Sequence, residues 1–345
     1  MTLDKTQVLV AIHHQKGSFS DRWLEVCGQR NIRHKVVNAY SKNIMEQLKG
    51  VDVLLWHWSN REPPALMFAR SIIAAAEAMG VSVFPDISTC WHYDDKVAQW
   101  FLLKAFDLPT INTHFFVDKK EAMDWIDKSS WPKVFKLRSG SGSRMVRLAE
   151  NAENARKLCH QSFGSGFNPT ERLLNDAFIK IKTLKTKEKL SGFIKKLPRK
   201  YSNWRERRKM PRERGYLYFQ DFLAGNQYDT RITIIGDRAF AFRRQVRPND
   251  FRASGSGNID HNQDDIDRCC ITIAQDAAKK LEVQSIALDF VLDENKNQQI
   301  VEISYVFQAE AVYNCPGHWD NDMNWHEGNV WPQDAILEDM LQKKG

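Results

Sequence analysis

Residues 284–307, QSIALDFVLDENKNQQIVEISYVF, decide the fold of this chain, because they place one acidic side chain in the middle of each of two apolar strands. The polar run DENKN between the strands predicts a tight turn. The side chains of Asp289 and Glu302 can then face the same side of a hairpin. A lone buried carboxylate is costly, so each acid needs a positive partner. From the hairpin alone, pairing with nearby arginines and binding of Mg²⁺ with its phosphates are equally good interpretations.

The overall composition predicts a large globular protein of more than one domain. The chain has 345 residues, 42% of them hydrophobic, and exceeds the size at which a single core usually divides. Its apolar runs are too short to span a membrane, and its first residues lack the basic, apolar and small-residue parts of a signal peptide. The six cysteines form no CxxC pair, so reduced thiols that fill the core are favoured over disulfides or zinc. We therefore expect a cytoplasmic protein.

Positive charge is concentrated in one segment, residues 171–215. This segment carries 16 lysines and arginines against 5 acids, whereas the whole chain has a net charge of +7. Apolar residues recur at helical spacing between the lysines, which predicts a basic amphipathic segment. It could lie on an anionic membrane surface or bind an acidic polymer such as a uronic-acid polysaccharide or RNA, nucleic acid being the least favoured partner. A solvated insertion whose apolar stripe packs on the rest of the protein is an equally good interpretation.

The first 90 residues alternate short apolar runs with helical patterns, which predicts a small parallel sheet covered on both faces. This N-terminal domain is therefore Rossmann-like in layout. No GxGxxG loop follows its first strand, so a dinucleotide site is unsupported. His13, His14 and His57 lie at strand ends, where such folds bind ligands, but ordinary packing or solvent contact is the favoured role for each of them.

A glycine- and serine-rich loop, RSGSGS at residues 138–143, follows a predicted strand that contains Lys136. Small residues let backbone N–H groups approach an anionic ligand, although a simple hairpin turn would have the same composition. The charge of Lys136 in an otherwise apolar strand favours the phosphate-binding interpretation, because a strand lysine beside a flexible glycine loop is one way to grip nucleotide phosphates. A helix predicted at residues 94–106 precedes these elements.

The C-terminal part is predicted to be mostly β-sheet, with strands in GYLYFQDFL, YDTRITIIG and RAFAFRRQV and a helix at about residues 264–281. The tail from residue 315 is predicted to form a wall of the substrate site or a packed loop before a last helix. Arginines on strands usually face solvent or pair with acids, but beside two acids and a glycine-rich loop they would also clamp phosphate and carboxylate groups. The arginines in question are Arg231, Arg243, Arg244 and Arg252.

The order of these parts resembles that of the ATP-grasp superfamily, from about Asp94 to Phe307. The parts are Lys96 in DDKVAQWFLLKAFDLPTINT, Lys136 before SGSGS, the QDFL segment, YDTRITIIGDRAFAFRRQV, NDFRASGSG and the two strand acids. The pattern is most similar to the subgroup of the ribosomal-protein glutamate ligase and glutathione synthetase. Each part alone is weakly diagnostic, whereas their order is specific.

The resemblance implies an α/β (α+β) ATP-grasp fold. In such a fold, a Rossmann-like pre-ATP-grasp domain at residues 1–90 precedes an ATP-grasp domain at residues 91–345. The second domain would consist of a lid at about residues 112–218, which carries the basic segment, and a catalytic subdomain at residues 219–345.

The resemblance also implies roles for individual residues. Lys96 and Lys136 would contact the phosphates of ATP, and a hinge strand with Asp221, Phe222 and Leu223 would meet the adenine. The loop that closes over the phosphates would consist of Ser139, Gly140, Ser141, Gly142 and Ser143. Arg231 and Arg244 would serve phosphates or the acyl group, Arg252 the substrate, and Asp289 and Glu302 the Mg²⁺ ion. The family usually ends its metal strand with Glu-x-Asn, but here Ser304 stands in the place of Asn and is a weaker ligand.

The chemistry that this resemblance implies is an ADP-forming ligation. A substrate carboxylate attacks ATP to give an acyl phosphate, and an amine or related nucleophile then displaces phosphate. The basic segment suggests an acidic glycan or a membrane-tethered substrate, and hence a cytoplasmic protein that could associate with the inner face of the membrane. A non-catalytic ATP-binding regulatory module and, more weakly, a basic adaptor for membrane or nucleic acid are alternatives. The sequence leaves the oligomeric state open.

Overall fold

A computed structural model of the protein describes residues 8–60, 62–140, 146–168, 212–247, 250, 252–253 and 257–343. Most of the basic segment and three residues of the glycine-rich loop, Ser141, Gly142 and Ser143, lie outside these ranges. No helix within the described ranges is both long and apolar enough to cross a membrane.

The N-terminal sheet is parallel throughout and has the strand order β2-β1-β3-β4. Helices follow its strands, as the alternating pattern predicts. The strands are β1 (Val10–His13), β2 (His34–Val37), β3 (Val53–Leu55) and β4 (Ser82–Phe84). The helices are α1 (Phe19–Gln29), α2 (Ile44–Gln47), α3 (Pro63–Ala78) and α4 (Ile87–Cys90).

The histidines at the strand ends of this domain take part in its packing. The backbone N–H of Ala39 donates to Nδ1 of buried His13 over 3.0 Å. The ring of His57 stacks on Phe19, with the ring centroids 3.8 Å apart. Nδ1 of His14 forms a hydrogen bond with the hydroxyl of Ser20 over 3.2 Å.

A second, antiparallel sheet lies in the range predicted for the lid, packs around a core of aliphatic and aromatic side chains and has the order β5-β8-β6-β7. Its strands are β5 (Thr113–Phe116), β6 (Lys133–Phe135), β7 (Arg147–Ala149) and β8 (Leu217–Asp221). The helices of this region are α5 (Lys96–Ala105), α6 (Lys119–Lys128) and α7 (Ala152–Phe163). Lys136 lies one residue beyond β6, and its backbone N–H still donates to the carbonyl of Tyr218 over 3.2 Å.

The third sheet has seven strands, in the order β13-β12-β9-β10-β14-β15, with β11 paired to β10. The tail thus contributes two strands rather than a packed loop. The strands are β9 (Tyr228–Ile235), β10 (Arg238–Gln245), β11 (Ile259–Asp260), β12 (Ser285–Leu292), β13 (Gln298–Ser304), β14 (Gly317–Trp319) and β15 (Trp325–Glu327). The helices are α8 (Arg268–Lys280), α9 (Ala309–Tyr313) and α10 (Pro332–Gln342).

The last helix, α10, joins the N-terminal sheet to the seven-stranded sheet. The indole N–H of Trp23 on α1 donates to the carbonyl of Gln333 over 2.9 Å, and Arg22 pairs with Asp334 at 2.7 Å. Side chains of both sheets and of α10 share one apolar core. This shared core fixes the N-terminal domain against the sheet that carries the two strand acids.

Candidate active site

The two strand acids lie in one row across neighbouring strands. Asp289 on β12 lies directly opposite Glu302 on β13 and opposite Arg231 on β9. Asp229, two residues before Arg231, shares its face of β9 and lies opposite Arg244 on β10. The hairpin therefore places the two acids side by side, as its sequence predicts, and two arginines lie next to them.

Asp289 is held by both arginines. Nε and a terminal nitrogen of Arg231 donate to its two oxygens over 2.6 and 2.8 Å. Arg244 bridges two acids, because its guanidinium lies 2.7 Å from Asp289 and donates from Nε to Asp229 over 2.7 Å. The arginine-pairing interpretation of Asp289 thus describes this structure, and a metal would have to share its oxygens. Arg243 lies elsewhere, over the ring of Tyr228 at 4.3 Å.

Burial and charge act in opposite directions on these groups. Burial would raise the pKa of Asp289, but Arg231 and Arg244 hold that pKa well below its usual range. Burial and the charge of Asp289 raise the pKa of Asp229, although Arg244 opposes this. Burial would lower the pKa of Arg244, but the two acids raise it further above its ordinary value. Each charge in this cluster therefore depends on its neighbours.

Lys96 joins the second acid to the glycine-rich loop. Its Nζ lies 3.3 Å from Oε1 of Glu302 and donates to the carbonyl of Gly140 over 2.6 Å. Burial would lower the pKa of Lys96, but Glu302 and Asp94 raise it above its ordinary value. The lysine is therefore charged and lies between Glu302 on β13 and the glycine-rich loop, where the resemblance places a phosphate contact.

Lys136 is buried as well, but its partner is neutral. Its Nζ donates to the side-chain carbonyl of Gln220. Burial lowers the pKa of Lys136 to about 8, the charge of Lys96 lowers it too, and Glu302 and Asp289 oppose the change. Its ammonium group is the more easily deprotonated of the two lysines in this site.

The described part of the glycine-rich loop is held by acids. The hydroxyl and the backbone N–H of Ser139 donate to Glu213, which also accepts from the hydroxyl of Tyr216. The backbone N–H of Gly140 donates to Asp94 over 2.9 Å. Gly140 has φ +111°, a conformation that favours glycine.

Asp221, at the end of β8, is the centre of a polar cluster on the hinge strand. Its carboxylate accepts from Lys133 over 2.6 Å, from Asn112 over 3.0 Å, and lies 3.0 Å from Nε2 of His114. Burial would raise the pKa of Asp221, but the hydrogen bonds from Lys133 and Asn112 lower it. The side chain is fixed and ionised at the position that the resemblance assigns to the adenine contact.

Nine of the predicted site residues line one cavity between the sheet of β5-β8-β6-β7 and the seven-stranded sheet, with a volume of about 190 Å³. Both lysines, both strand acids and the hinge strand reach it. The predicted residues on its wall are Lys96, Lys136, Gly140, Asp221, Phe222, Leu223, Arg252, Asp289 and Glu302. The fold therefore brings predicted residues from distant parts of the chain to one cavity.

Other predicted residues lie beside the cavity or are occupied elsewhere. Arg231 and Arg244 bind Asp289 and do not line the cavity wall. Arg252 lines it and donates to Asp250 over 2.6 and 2.8 Å. The hydroxyl of Ser304 donates to the carbonyl of Val306 and accepts from its N–H, each over 3.0 Å.

Sequence reasoning missed three polar residues of the site: Gln220, Asp229 and Glu213. Gln220 and Asp229 line the cavity, and Glu213 holds the loop. Alternation along YDTRIT could have identified Asp229, since it shares a strand face with Arg231. Gln220 precedes the hinge residue Asp221 and gives no comparable signal. Glu213 lies within the basic segment, where its charge is masked by its neighbours.

No protein-family model matches the chain. A curated relative, the alpha-aminoadipate–LysW ligase LysX of Saccharolobus solfataricus, is 30% identical over 86 residues, which make up 24% of this chain. The match spans 31% of that relative's length.

Solved structures match nearly the whole chain. The crystal structure of D-cycloserine synthetase DcsG has a TM-score of 0.56 at 11% identity, and the match covers 96% of this chain and 99% of that one. The ATP-grasp ligase PsnB, solved with minimal precursor, Mg and ADP, has a TM-score of 0.53 at 12% identity, with coverage of 98% and 99%. The chain therefore has the ATP-grasp fold, and the predicted fold class is confirmed.

The donor set of the site fits a Mg²⁺ ion that is completed by phosphates. Asp289 and Glu302 offer hard oxygens on the cavity wall, and Mg²⁺ commonly uses one or two carboxylates together with substrate phosphates and water. A carboxylate oxygen has two lone pairs, so Asp289 can accept from an arginine and still coordinate a metal. Within the described ranges, no group of three or more His, Cys, Asp and Glu could hold a metal ion by itself.

Proposed function

We propose that this protein is an ATP-dependent, ADP-forming ligase that joins a substrate carboxylate to an amine or related nucleophile. The observation that carries the proposal is the single cavity on which two buried lysines, two paired acids and the hinge strand converge. The ligase names of the similar proteins support the same class of reaction. ATP and Mg²⁺ are the cofactors that this site would take.

Charge neutralisation and alignment would provide most of the catalysis. Lys96 and Lys136 would neutralise the phosphates, with the loop at residues 139–143 over them and the hinge residues 221–223 against the adenine. A Mg²⁺ ion held by Asp289 and Glu302 would stabilise negative charge that develops on the transferred phosphoryl group. A substrate carboxylate that attacks the γ-phosphate gives an acyl phosphate and ADP, and the nucleophile then displaces phosphate from the acyl carbon.

The arginines would have two different tasks. Arg231 and Arg244 hold Asp289 through short ion pairs, so we assign them to the orientation of this metal ligand rather than to direct phosphate contact. Arg252 lines the cavity and would bind the substrate carboxylate after release from Asp250. Ser304 would at most hold a water near the metal, because its hydroxyl is bound to Val306.

The local contacts of Ser304 also favour a second candidate, a non-catalytic ATP-binding regulatory module. Incubation with ATP, Mg²⁺ and a panel of acids and amines separates the two. For a ligase we expect release of ADP and phosphate that requires both an acid and a nucleophile, and ¹⁸O from the substrate carboxylate should appear in the phosphate. Tight binding of ATP with no stimulated release across a wide panel would leave the regulatory module.

We further propose that the substrate is an acidic glycan or a membrane-tethered acid recruited by the basic segment, whose net charge from residues 171 to 215 is +11 (16 minus 5). Phe167, four residues before this segment, lies beside Glu213, near the end of the segment. Phe167 and Glu213 pair through backbone hydrogen bonds of 2.8 and 2.9 Å. Deletion of residues 169–211 together with Arg212→Gly would leave Asn-Gly between the paired residues, which suits a two-residue hairpin turn.

This deletion should leave affinity for an ATP analogue within about threefold of the native value, because it removes none of the described residues that line the cavity. Affinity for polyuronic acid or for vesicles with anionic lipid should fall at least tenfold as most of the charge is lost. The binding assay with both probes, and with RNA, identifies the partner class. Unchanged affinity for all three probes would refute recruitment by the segment, as would an equal loss of ATP binding.

A further inference from the structure

The contacts of Gln220 fix the orientation of its side-chain amide. Its Nε2 donates to the hydroxyl of Tyr218 over 3.1 Å and to the hydroxyl of Thr113 over 3.3 Å. These contacts direct the amide oxygen toward Nζ of Lys136, which donates to it. The reversed amide would place an NH₂ group against an ammonium group, so the hydrogen-bond network selects one orientation. Gln220 and Lys136 are both buried, and both line the cavity.

Lys136 differs from the other cations of the site in the kind of partner it has. Lys96 pairs with Glu302, Arg231 and Arg244 pair with Asp289, and Arg252 pairs with Asp250. Within the part of the chain that the structure describes, no carboxylate pairs with Lys136. Its charge is positioned by a neutral group and is not cancelled by an acid.

We propose that Gln220 is a positioning residue that holds the ammonium group of Lys136 toward the phosphates of ATP without neutralising it. The inference rests on the proposed function, because it needs a nucleotide in this cavity. A lysine side chain has a flexible four-carbon stem, so an unanchored Lys136 would spread over several rotamers. A neutral acceptor limits this freedom while the whole charge stays available to an anionic ligand. A glutamate at position 220 would compete with the phosphates for the same cation.

Protonation of Lys136 gives a second readout of this role. Burial lowers its pKa, Glu302 and Asp289 act against that, and Lys96 reinforces it. Gln220→Glu adds a carboxylate and should raise this pKa, whereas Gln220→Leu removes the acceptor and should lower it further. If these substitutions acted only on folding, Gln220→Glu and Gln220→Leu would not shift the pH profile of ATP-analogue binding in opposite directions.

The test is a double-mutant cycle on the binding of a non-hydrolysable ATP analogue with Mg²⁺, measured by isothermal titration calorimetry. Gln220→Leu is expected to weaken binding about tenfold at pH 7. In the Lys136→Met background the same change should have no further effect, since the group it positions is gone. Gln220→Glu should raise the pH at which affinity for the analogue falls by at least one pH unit. Gln275→Leu is the matched control, because Gln275 donates to the carbonyl of Asp320 over 2.7 Å outside the cavity.

The outcomes separate this inference from the proposed function. If the native chain binds the analogue and Gln220→Leu weakens binding tenfold even in the Lys136→Met background, the positioning role alone is overturned. Native affinity in the Gln220→Leu variant would overturn it too. Failure of the native chain to bind the analogue would overturn both proposals. Should Gln220→Leu not fold, Gln220→Asn, which keeps the amide but is one methylene shorter, is expected to show the same loss and the same dependence on Lys136.

Discussion

Replacement of Lys136 by methionine is expected to lower ATP-dependent release of ADP at least about a hundredfold. Methionine keeps most of the stem and removes the charge, so the buried cavity wall is retained while the phosphates lose a cation. The effect is measured as release of ADP and phosphate during incubation with ATP, Mg²⁺ and the panel of acids and amines. The native protein should also bind ATP more weakly as the pH rises through about 8, because the depressed pKa of Lys136 means that its charge is lost there. This pH dependence should be absent from the variant.

Lys104→Met is the control for Lys136→Met. Lys104 lies exposed in the last turn of α5, away from the cavity, so its replacement should change release less than twofold. Release by Lys136→Met near the native rate would mean that Lys136 does not contact the transferred phosphate. The assignment of the adjoining glycine-rich loop would then fall as well.

Replacement of Arg244 by methionine is expected to lower the free energy of unfolding by about 3–5 kcal/mol. Asp229 and Asp289 would remain buried and close together, with only Arg231 to compensate them. Urea denaturation at pH 7 measures the loss. Arg30→Met removes an exposed ion pair with Glu338 and should change the free energy of unfolding by less than about 1 kcal/mol.

The pH dependence of the Arg244→Met variant should have the opposite sign to the native contribution of Asp289. In the native protein the pKa of Asp289 is depressed, so its contribution to stability is present at neutral pH and is lost as the pH falls through that pKa. In the variant the buried acids should have raised pKa values, so the free energy of unfolding should fall as the pH rises and these acids ionise. Its deficit should therefore shrink between pH 7 and pH 5. A deficit below 1 kcal/mol, or one that grows on acidification, would contradict a coupled cluster.

The order of the elements was predictable because it depends on patterns that are local to a strand or loop, whereas the expectation that the site residues meet came from the resemblance to the ATP-grasp superfamily. Alternation along residues 284–307 placed Asp289 and Glu302 on one face, and the structure pairs them directly. The same reasoning left the partner of Asp289 open. Its contact with Arg231 follows from the pairing of β12 with β9, two strands separated in the chain by β10, β11 and α8. Register between distant strands is fixed by packing rather than by the local pattern.

The tail and the neutral partner of Lys136 were not predictable for different reasons. Strands β14 and β15 have three residues each and contain glycine, histidine and acid, so their propensity for strand is weak. β14 takes its place by pairing with the edge of β10, and β15 in turn pairs with β14. Gln220 is a polar residue in a buried strand, and its role depends on Lys136, which reaches it from β6. The division of the chain at residues 90 and 218 remains a prediction.

The ion pairs around Asp289 also bear on whether the protein can fold before it binds nucleotide. Arg231 and Arg244 balance Asp229 and Asp289, and Lys96 balances Glu302, so the sheet has no need of a bound metal to neutralise its acids during folding. The chain can therefore complete its fold before nucleotide arrives. The supply of nucleotide would then determine the fraction of folded protein that has nucleotide bound, while synthesis and degradation would determine the amount of folded protein.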